Sequence, residues 1–459
     1  MHTQNPRLFA FFIIVFAALG GMLYGYDIGI LAGAFPFLNR DVPMTAGQLH
    51  FMPGAVLFGG AFATLITGPL CDLWGRKKLI IAASIIFIVG VILVGMATDY
   101  VSILSGRLIQ GIGIGIVTIA IPLYLAEAVP AHIRGQALCA FQLLLTAGIL
   151  IASLIGWLLT ATGNWRGMFF SAMVPAILLF AGSLFLPESP RWLSMKGNFE
   201  KALAILARSR ALTVAKDELA QMTQVITSQQ ADTSASWRQR RFLVPLIIVF
   251  IIACANQLTG INSLLQLAPV VLRSAGLPSD VIAMLGAVAI TGLNFLVTIL
   301  ALFLVDRIGR RFLLCLGTGG IVISLVFCGG IAYFLPTSVF KGELLLAGIL
   351  CFIFFFAIGP GVAVWLVLSE LLPSRIRSSG MAVALFLNSM TSAILATSFL
   401  GLADAIGYAG VFWLCAGFTL IYFITVFFFV PETKKKTLEE IEIHFDSIAQ
   451  VNNASVVKA

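Results

Sequence analysis

An aspartate, Asp27, and an arginine, Arg107, are the two charged residues that lie well inside long apolar stretches of this sequence. Asp27 interrupts the run from Leu8 to Phe37, and Arg107 interrupts the run from Val101 to Ala126. Each run is long enough to cross a bilayer as a helix. An ionisable side chain in such a segment is costly, and it is retained where it faces protein or water and performs a task. These two residues are therefore the first candidates for chemistry.

The two charges lie at matching depths. With a rise of about 1.5 Å per residue, each is roughly 10 Å from the same face of the membrane, so the side chains are expected to meet. One interpretation is a structural ion pair that joins two helices. The other is a carboxylate that takes up and releases a proton under the control of an arginine. Burial favours the neutral form of Asp27, whereas a nearby Arg107 favours the charged form. A movement of Arg107 would therefore change whether Asp27 is protonated.

The composition excludes a soluble globular protein. The chain has 459 residues, of which 60% are hydrophobic and 10% charged, and its mean hydropathy is +1.04. Soluble domains carry about 25% charged residues, so we expect a protein embedded in the lipid bilayer. The seven cysteines show no paired spacing, and the four histidines lie outside the interiors of the apolar runs. The residues predict no metal, no cofactor and no catalytic site, so an enzyme is not expected.

The net charge of +8 does not indicate nucleic-acid binding, because the basic residues are unevenly distributed. If residues 1–7 are cytoplasmic and successive runs cross in alternating directions, most Lys and Arg residues fall on the cytoplasmic side. The exceptions on the opposite side are Arg40, Arg166, Arg273 and Lys341. This asymmetry follows the positive-inside rule. It predicts an inner-membrane (plasma-membrane) protein with both termini in the cytosol.

Apolar runs of spanning length recur at 8–35, 49–70, 79–97, 101–126, 136–160, 165–186, 242–272, 281–305, 312–334, 343–369, 379–402 and 408–430. We therefore expect an all-α membrane protein with twelve transmembrane helices. Its predicted parts are a first six-helix half (1–186), a cytoplasmic linker (187–241), a second six-helix half (242–430) and a cytoplasmic tail (431–459). The linker shows the pattern of short amphipathic helices at Phe199, Leu203 and Leu206. Thr437 and Glu440 have capping-box spacing for a helix in the tail.

The two halves repeat one another. Three motifs recur in the same order: Asp72–Lys77 as Asp306–Arg311; Glu127, Pro130 and Arg134 as Glu370, Pro373 and Arg377; and Pro187–Ser189 as Pro431–Thr433. Such repetition indicates a duplication of six spans. Two parallel halves with a site between them are an architecture of transporters.

These motifs carry a resemblance to a known family. The paired loops Asp72–Lys77 and Asp306–Arg311 resemble those of the major facilitator superfamily, and Pro187–Leu193, Gln257–Asn262 and Pro431–Lys434 resemble motifs of its sugar porter branch. The resemblance covers nearly the whole chain. Proton-coupled members carry an Asp and an Arg at the positions of Asp27 and Arg107, whereas passive glucose facilitators have a neutral amide at the first.

The repeated loops predict a cytoplasmic gate. Their glycines permit a tight turn, and their arginines can reach carboxylates on neighbouring helix ends through charge-assisted bonds. Such a latch would close the inner mouth in one state and break in the other. The alternative is that the basic loops only fix the topology. The residues assigned to the gate are Asp72, Arg76, Glu127, Arg134, Glu188, Asp306, Arg310, Glu370, Arg377 and Glu432.

Side-chain amides inside the spans are candidates for binding an uncharged, hydroxyl-rich solute. Amides both donate and accept hydrogen bonds, and aromatic faces pack on C–H groups. The alternative for each amide is a hydrogen bond between helices. The resemblance implies a sugar site lined by Gln142, Gln257, Asn262, Asn294, Trp365 and Asn388. Gly359–Gly361 is expected to break span ten just before Trp365.

The sequence departs from the sugar-porter pattern at three positions. Asn256 stands where glutamine is common, Gln266 where tyrosine is common, and Ser389 where tryptophan is common. One amide is shortened and two aromatic surfaces are lost. A polyol or a pentose therefore fits the sequence as well as a hexose does.

We expect a monomeric, proton-coupled symporter of a small neutral polyhydroxylated solute that works by alternating access. The nearest alternative is a passive facilitator in which Asp27 and Arg107 form a structural pair. A proton-driven drug exporter is disfavoured by the sugar-porter motifs. A nutrient sensor with a transporter fold is disfavoured because only residues 437–459 follow the last motif.

Overall fold

The computed structural model describes residues 6–231, 240–372 and 376–434, and the regular elements in these ranges are helices. The first half contains α1 (Pro6–Asp41), α2 (Ala46–Trp74), α3 (Arg76–Gly95), α4 (Tyr100–Ala128), α5 (Arg134–Thr160), α6 (Trp165–Ser171) and α7 (Met173–Phe185). Three short helices follow, α8 (Pro190–Met195), α9 (Phe199–Ser209) and α10 (Leu212–Ala231). The second half contains α11 (Arg240–Leu258), α12 (Ile261–Ala275), α13 (Asp280–Ile308), α14 (Arg310–Phe334), α15 (Val339–Ile358), α16 (Pro360–Leu371) and α17 (Arg377–Phe429).

The described helices account for the twelve predicted spans. Eleven segments are long and apolar enough to cross a membrane. The last, Ser379–Phe429, has 51 residues, about twice the length that one crossing needs. Gly407 breaks it with a left-handed backbone (φ 72°, ψ 163°), between the predicted runs 379–402 and 408–430. The fold class is therefore the predicted one, an all-α membrane protein of two six-helix halves with short helices between them.

Two of the spans are broken in their interiors. Span seven consists of α11 and α12, which meet at Gly260 with a positive φ of 87°. Span ten consists of α15 and α16, which meet at Gly359, so it is broken where predicted, and Pro360 lies in the first turn of α16. Interruptions at membrane depth are tolerated where the backbone is buried in protein or lines a cavity. Both breaks lie beside predicted solute-site residues.

α1 packs against α5 along a stripe of glycines spaced four residues apart: Gly21, Gly25, Gly29 and Gly33. The approach is closest at Gly25, where an added Cβ would lie 1.8 Å from the carbonyl oxygen of Leu145. Small residues allow two helix backbones to approach closely in a membrane, where van der Waals contact drives association. This contact sets the position of the segment that carries Asp27.

The halves meet through α2 with α17, α5 with α13, and α1 with α12. At one end of the bundle the contact includes charged groups. Arg40 lies 3.9 Å from Asp280, and His50 lies 3.3 Å from Asp404. The repeated loops at Gly75 and Gly309 follow the other ends of α2 and α13. These two side-chain contacts between the halves therefore lie at the end opposite the predicted gate.

The linker helices include the predicted amphipathic segment. α9 covers residues 199–209, with Leu206 buried and Leu203 half-buried. Arg210, which follows it, pairs with Glu218 of α10 and donates from Nη2 to the carbonyl oxygen of Ala128 at 3.1 Å. These contacts attach the linker helices to the end of α4. The predicted cap at Thr437 and Glu440 lies outside the described residues.

Candidate functional site

Asp27 and Arg107 meet inside the first half, as their depths predict. Arg107 Nη1 donates to Asp27 Oδ1 at 2.6 Å, and the two residues are 1% and 2% exposed respectively. The guanidinium carbon also lies 5.5 Å from the centre of the Phe169 ring, a cation–π distance. A buried ion pair has lost its hydration, so removal of either partner leaves an uncompensated charge. Protonation of Asp27 would therefore strongly weaken the interaction between Asp27 and Arg107.

A third polar residue, Gln110, shares this arginine. Its Oε1 accepts a hydrogen bond of 2.9 Å from Arg107 Nη1, the same nitrogen that donates to Asp27. Gln110 was not among the residues predicted from the sequence. Its signal was available, because an amide three residues after a buried arginine lies on the same helical face. The proton-coupling candidates therefore form a group of three.

The second half contains a cluster of bonded polar side chains from α11, α12 and α17. Gln257 Nε2 donates to Asn388 Oδ1 at 3.2 Å. Asn262 Nδ2 lies 2.9 Å from Gln257 Oε1 and 2.8 Å from Ser392 Oγ. The break at Gly260 places the end of α11 and the start of α12 beside each other, which brings Gln257 and Asn262 together. We call Gln257, Asn262, Asn388 and Ser392 the amide cluster.

The amide cluster extends the sequence prediction by one residue. Ser392 was not selected, although it lies one helical turn after Asn388 and so shares its face. Asn256 and Gln266, two of the positions that depart from the family pattern, are each 2% exposed. Within the described chain, Asn256 Oδ1 and Gln266 Oε1 have no hydrogen-bond partner. Buried polar atoms are usually paired, so these two oxygens are unoccupied acceptors beside or near the break.

The other predicted solute contacts are more separate. Asn294 is buried on α13, whereas Gln142 on α5 and Trp365 on α16 are half-buried. Among the described residues, no side-chain hydrogen bond joins these three to the amide cluster. Their assignment to the site stays a prediction.

The predicted gate of the first half is a buried charge network. Arg76 Nη2 donates to Glu127 Oε1 at 2.9 Å, and the two residues are 3% and 5% exposed. Arg76 Nη2 also lies 3.1 Å from Asp72 Oδ1. Glu188 Oε1 accepts the backbone N–H groups of Arg76 and Lys77, at 3.0 and 3.1 Å. The arginine and the carboxylates that the sequence selected are thus in contact.

The second half repeats this arrangement in looser form. Glu432 accepts the backbone N–H groups of Arg310 and Arg311, at 3.0 and 3.2 Å. Arg310 Nε lies 3.7 Å from Glu370 Oε1. Gly309 has a φ of 119°, and Gly75 at the matching position has a φ of 95°. An added Cβ would lie 2.6 Å from Glu432 and 2.4 Å from Glu188, so glycine is required for both contacts.

Three gate residues remain. Arg134 is half-buried at the start of α5, and its Nε has no hydrogen-bond partner in the described chain. The side chains of Asp306 and Arg377 lie outside the described residues. The ion pairs of Arg76 with Glu127 and of Arg310 with Glu370 are each formed within one half. The gate role of this set stays a prediction.

Comparison with known proteins decides the family. The model of the family described as sugar (and other) transporter matches residues 13–445. The chain belongs to this sugar transporter family. A probable metabolite transport protein of Bacillus subtilis is 34% identical over 433 residues, which cover 94% of each chain. The galactose-proton symporter of Escherichia coli is 31% identical over 96% of this chain and 95% of its own length.

Solved structures show the same fold for this sugar transporter. The proton:xylose symporter bound to a bromodeoxyglucose superimposes with a TM-score of 0.81 at 26% identity, covering 96% of this chain and all of the other. The inward-open conformation of the xylose transporter from E. coli also gives a TM-score of 0.81, at 26% identity and covering 95% and 99% of the two chains. The protein is an integral membrane protein of the inner membrane and is not an enzyme.

Proposed function

We propose that this sugar transporter imports a small neutral polyhydroxylated solute together with a proton, by alternating access. The observation that carries the proposal is the ion pair of Asp27 with Arg107, buried in a membrane-spanning half. Relatives named as galactose-proton and arabinose-proton symporters are 31% identical to the chain. The names of these relatives support the same class of solute and the same coupling ion.

The buried pair supplies the proton step. A carboxylate beside a guanidinium is stable in a dry interior, whereas a neutral carboxyl group no longer holds the arginine by charge. A proton that enters from water and binds Asp27 therefore releases Arg107 from its strongest contact. Because Asp27 lies on α1 and Arg107 on α4, release changes the contact between two helices of the first half. Loss of the proton restores the pair.

The amide cluster supplies the solute step. Each amide offers a donor and an acceptor without a net charge, which suits a ring of hydroxyl groups. In the present structure the polar groups of the cluster form hydrogen bonds with one another, among Gln257, Asn262, Asn388 and Ser392. A solute would exchange these bonds for its own hydroxyls. We place Asn294 and Trp365 around it, and Gln142 of the first half as the contact that closes over it.

The proposed architecture divides the tasks between the halves. Residues 1–186 handle the proton and residues 242–430 hold the solute. Residues 187–241 and 431–459 lie on the cytoplasmic side, with both termini there, in a monomer. The distribution of Lys and Arg supports this orientation.

The test is transport in proteoliposomes under an imposed pH gradient. Asp27→Asn is expected to abolish uphill accumulation while downhill flux or exchange remains measurable. The matched control is Asp217→Asn, which changes an exposed aspartate on α10 and should leave accumulation intact. If the Asp27→Asn protein still accumulates solute under the pH gradient, the coupling is wrong and the pair with Arg107 is structural. A facilitator would also show no accumulation in the wild type.

A further inference from the structure

At the position of Gln110 in α4, an apolar side chain would be buried at a lower cost in free energy, because it has no polar group to desolvate. It is 0% exposed, and its Nε2 has no hydrogen-bond partner among the described residues. Gly90 of α3 lies behind it, where an added Cβ would be 2.7 Å from Gln110 Cγ. An amide buried with one unpaired end is unfavourable. Its one side-chain bond, to Arg107, is therefore the contact to explain.

The geometry gives Arg107 Nη1 two acceptors of different kinds. Asp27 Oδ1 at 2.6 Å changes its charge with proton binding, whereas Gln110 Oε1 at 2.9 Å does not. When Asp27 is neutral, the amide oxygen still accepts from the guanidinium. The amide dipole also presents its negative end toward the pair, which favours the neutral form of the nearby carboxyl group.

We propose that Gln110 is a positioning residue for proton coupling: it holds the guanidinium of Arg107 in place while Asp27 carries the proton. This inference rests on the proposed symport. The proton passes from water to the Asp27 carboxylate and later back to water, and Arg107 keeps its own protons throughout. No other bond forms or breaks.

Around Arg107 there are few other groups, among the described residues, that could hold its guanidinium in this way. α1 contributes Asp27 and, three residues before it, the phenol of Tyr24. α2 and α3 contribute uncharged residues where they contact α4 around Gln110, among them Val56 and Gly90. The basic residues of α5, α6 and α8 are Arg134 at the start of α5, Arg166 paired with Asp41, and Arg191 after the gate carboxylate Glu188. Gln110 is thus the neutral acceptor on this arginine in the described chain.

The test compares Gln110→Leu with Gln110→Glu in purified protein reconstituted into lipid. Leucine removes the acceptor at similar volume, so the neutral form of Asp27 loses support. Glutamate offers Arg107 a second anion, so Asp27 is released more easily. One readout is the pH of half-maximal accumulation. The other is the pH at which the protonated-carboxyl infrared band appears, identified by its absence in Asp27→Asn.

Both midpoints are expected to move to lower pH by at least about 0.5 unit in Gln110→Leu, and to higher pH in Gln110→Glu. One pH unit corresponds to about 1.4 kcal/mol between the two protonation states, within the range of one hydrogen bond to a charged group. Thr118→Val is the control, since Thr118 of α4 bonds within its own helix to the carbonyl oxygen of Gly115. If Gln110→Leu does not fold, Gln110→Met replaces it.

The outcomes separate this inference from the proposed symport. Unchanged midpoints, or shifts in the same direction for leucine and glutamate, would overturn the role of Gln110 while wild-type accumulation upholds the symport. If the wild type accumulates nothing but the infrared midpoints shift in opposite directions, the symport is wrong and the action of Gln110 on Asp27 stands. An effect of Gln110→Leu on the pH profile that persists in the Asp27→Asn background would also overturn the role.

Discussion

At the scale of single residues, we expect the amide cluster to determine solute affinity. Gln257 bonds to both Asn262 and Asn388, so it links α11 with α12 and α17. Gln257→Ala is expected to weaken solute binding by about five- to 150-fold, because one hydroxyl left unpaired in a closed site costs roughly 1–3 kcal/mol. Competition for uptake among sugars and polyols measures the affinity.

The control for Gln257→Ala is Ser324→Ala. Ser324 is a buried residue of α14 whose hydroxyl, among the described residues, bonds only to the carbonyl oxygen of Gly320 in its own helix. Asn294→Ala and Gln142→Ala test two of the three predicted contacts that stand apart from the cluster. Unchanged affinity in Gln257→Ala would mean that these amides only join helices.

We expect the departures from the family pattern to determine which solute is preferred. Gln266 is buried on α12 with an oxygen that has no partner in the described chain, and Ser389 is half-buried on α17. Gln266→Tyr combined with Ser389→Trp is expected to shift preference toward hexoses, because it restores apolar surfaces for C–H groups. Uptake competition by hexoses against pentoses and polyols checks this. The two single variants are the controls, and a preference that stays with the smaller solutes contradicts the prediction.

At the scale of helices, the contact of α1 with α5 depends on the absence of a side chain at Gly25. Gly25→Ala would place a methyl group within bonding distance of the Leu145 carbonyl oxygen, so the helices must separate. We expect a loss of roughly 1–3 kcal/mol in stability, the range for overpacking. Thermal unfolding of purified protein measures it.

Gly330→Ala provides the matched control for Gly25→Ala. Gly330 lies in α14, and among the described residues no atom outside its own helix backbone lies within 4 Å of an added Cβ. Alanine favours the helix by up to about 1 kcal/mol over glycine, so this variant should be neutral or stabilising. Equal destabilisation of both variants would show that the close contact with α5 is not the cause.

The charge network of Arg76 and Glu127 is more buried than that of Arg310 and Glu370. This difference predicts that mutations in the two networks will reduce stability unequally. Arg76 and Glu127 are almost wholly buried, whereas the Arg310 and Glu370 side chains are 15% and 23% exposed and 3.7 Å apart. Arg76→Ala leaves a buried carboxylate without its cation, a loss of about 3–5 kcal/mol. Arg310→Ala should be milder. Unfolding temperatures of the two variants compare them, and a greater loss in Arg310→Ala would contradict the role of burial.

At the scale of the whole molecule, alternating access requires the end that joins the halves to open. His50 of α2 and Asp404 of α17 are in contact there. Replacing both with cysteine and joining the thiols with a reducible bifunctional thiol reagent is expected to stop transport, with recovery on reduction, because a covalent link keeps this end closed. The reagent spans the length that cysteine lacks, since a direct disulfide needs closer backbones than a contact between side-chain ends ensures. Solute flux before cross-linking, after it, and after added reductant is the measurement.

The control pair lies at the same end but within the first half. The side chains of Asp41 and Arg166 are paired 2.5 Å apart, so the same reagent between cysteines at these positions links parts that move together. Cross-linking of this pair should leave transport largely intact. Wild type treated with the reagent accounts for the native cysteines. Full activity of the cross-linked His50→Cys, Asp404→Cys protein would mean that this end does not need to open.

The sequence by itself determined the class of protein, the twelve crossings and the family. Hydropathy, span length and motif order are local properties, so they can be read without knowing which helices touch. The shared depth of Asp27 and Arg107 also follows from counting along two helices with a constant rise. For this reason the contact between Asp27 and Arg107 could be predicted. The break at Gly359 could be predicted because glycine and proline interrupt a helix.

The tertiary structure alone decided which polar groups share partners. Helix rotation and the distance between backbones depend on side-chain packing, such as the approach at Gly25, and no periodicity along one segment reports them. Only the folded chain shows that Gln110 shares the nitrogen that binds Asp27, and that Ser392 completes the amide cluster. Only the folded chain shows that Arg76 pairs within its own half. These are contacts between distant segments, which packing creates.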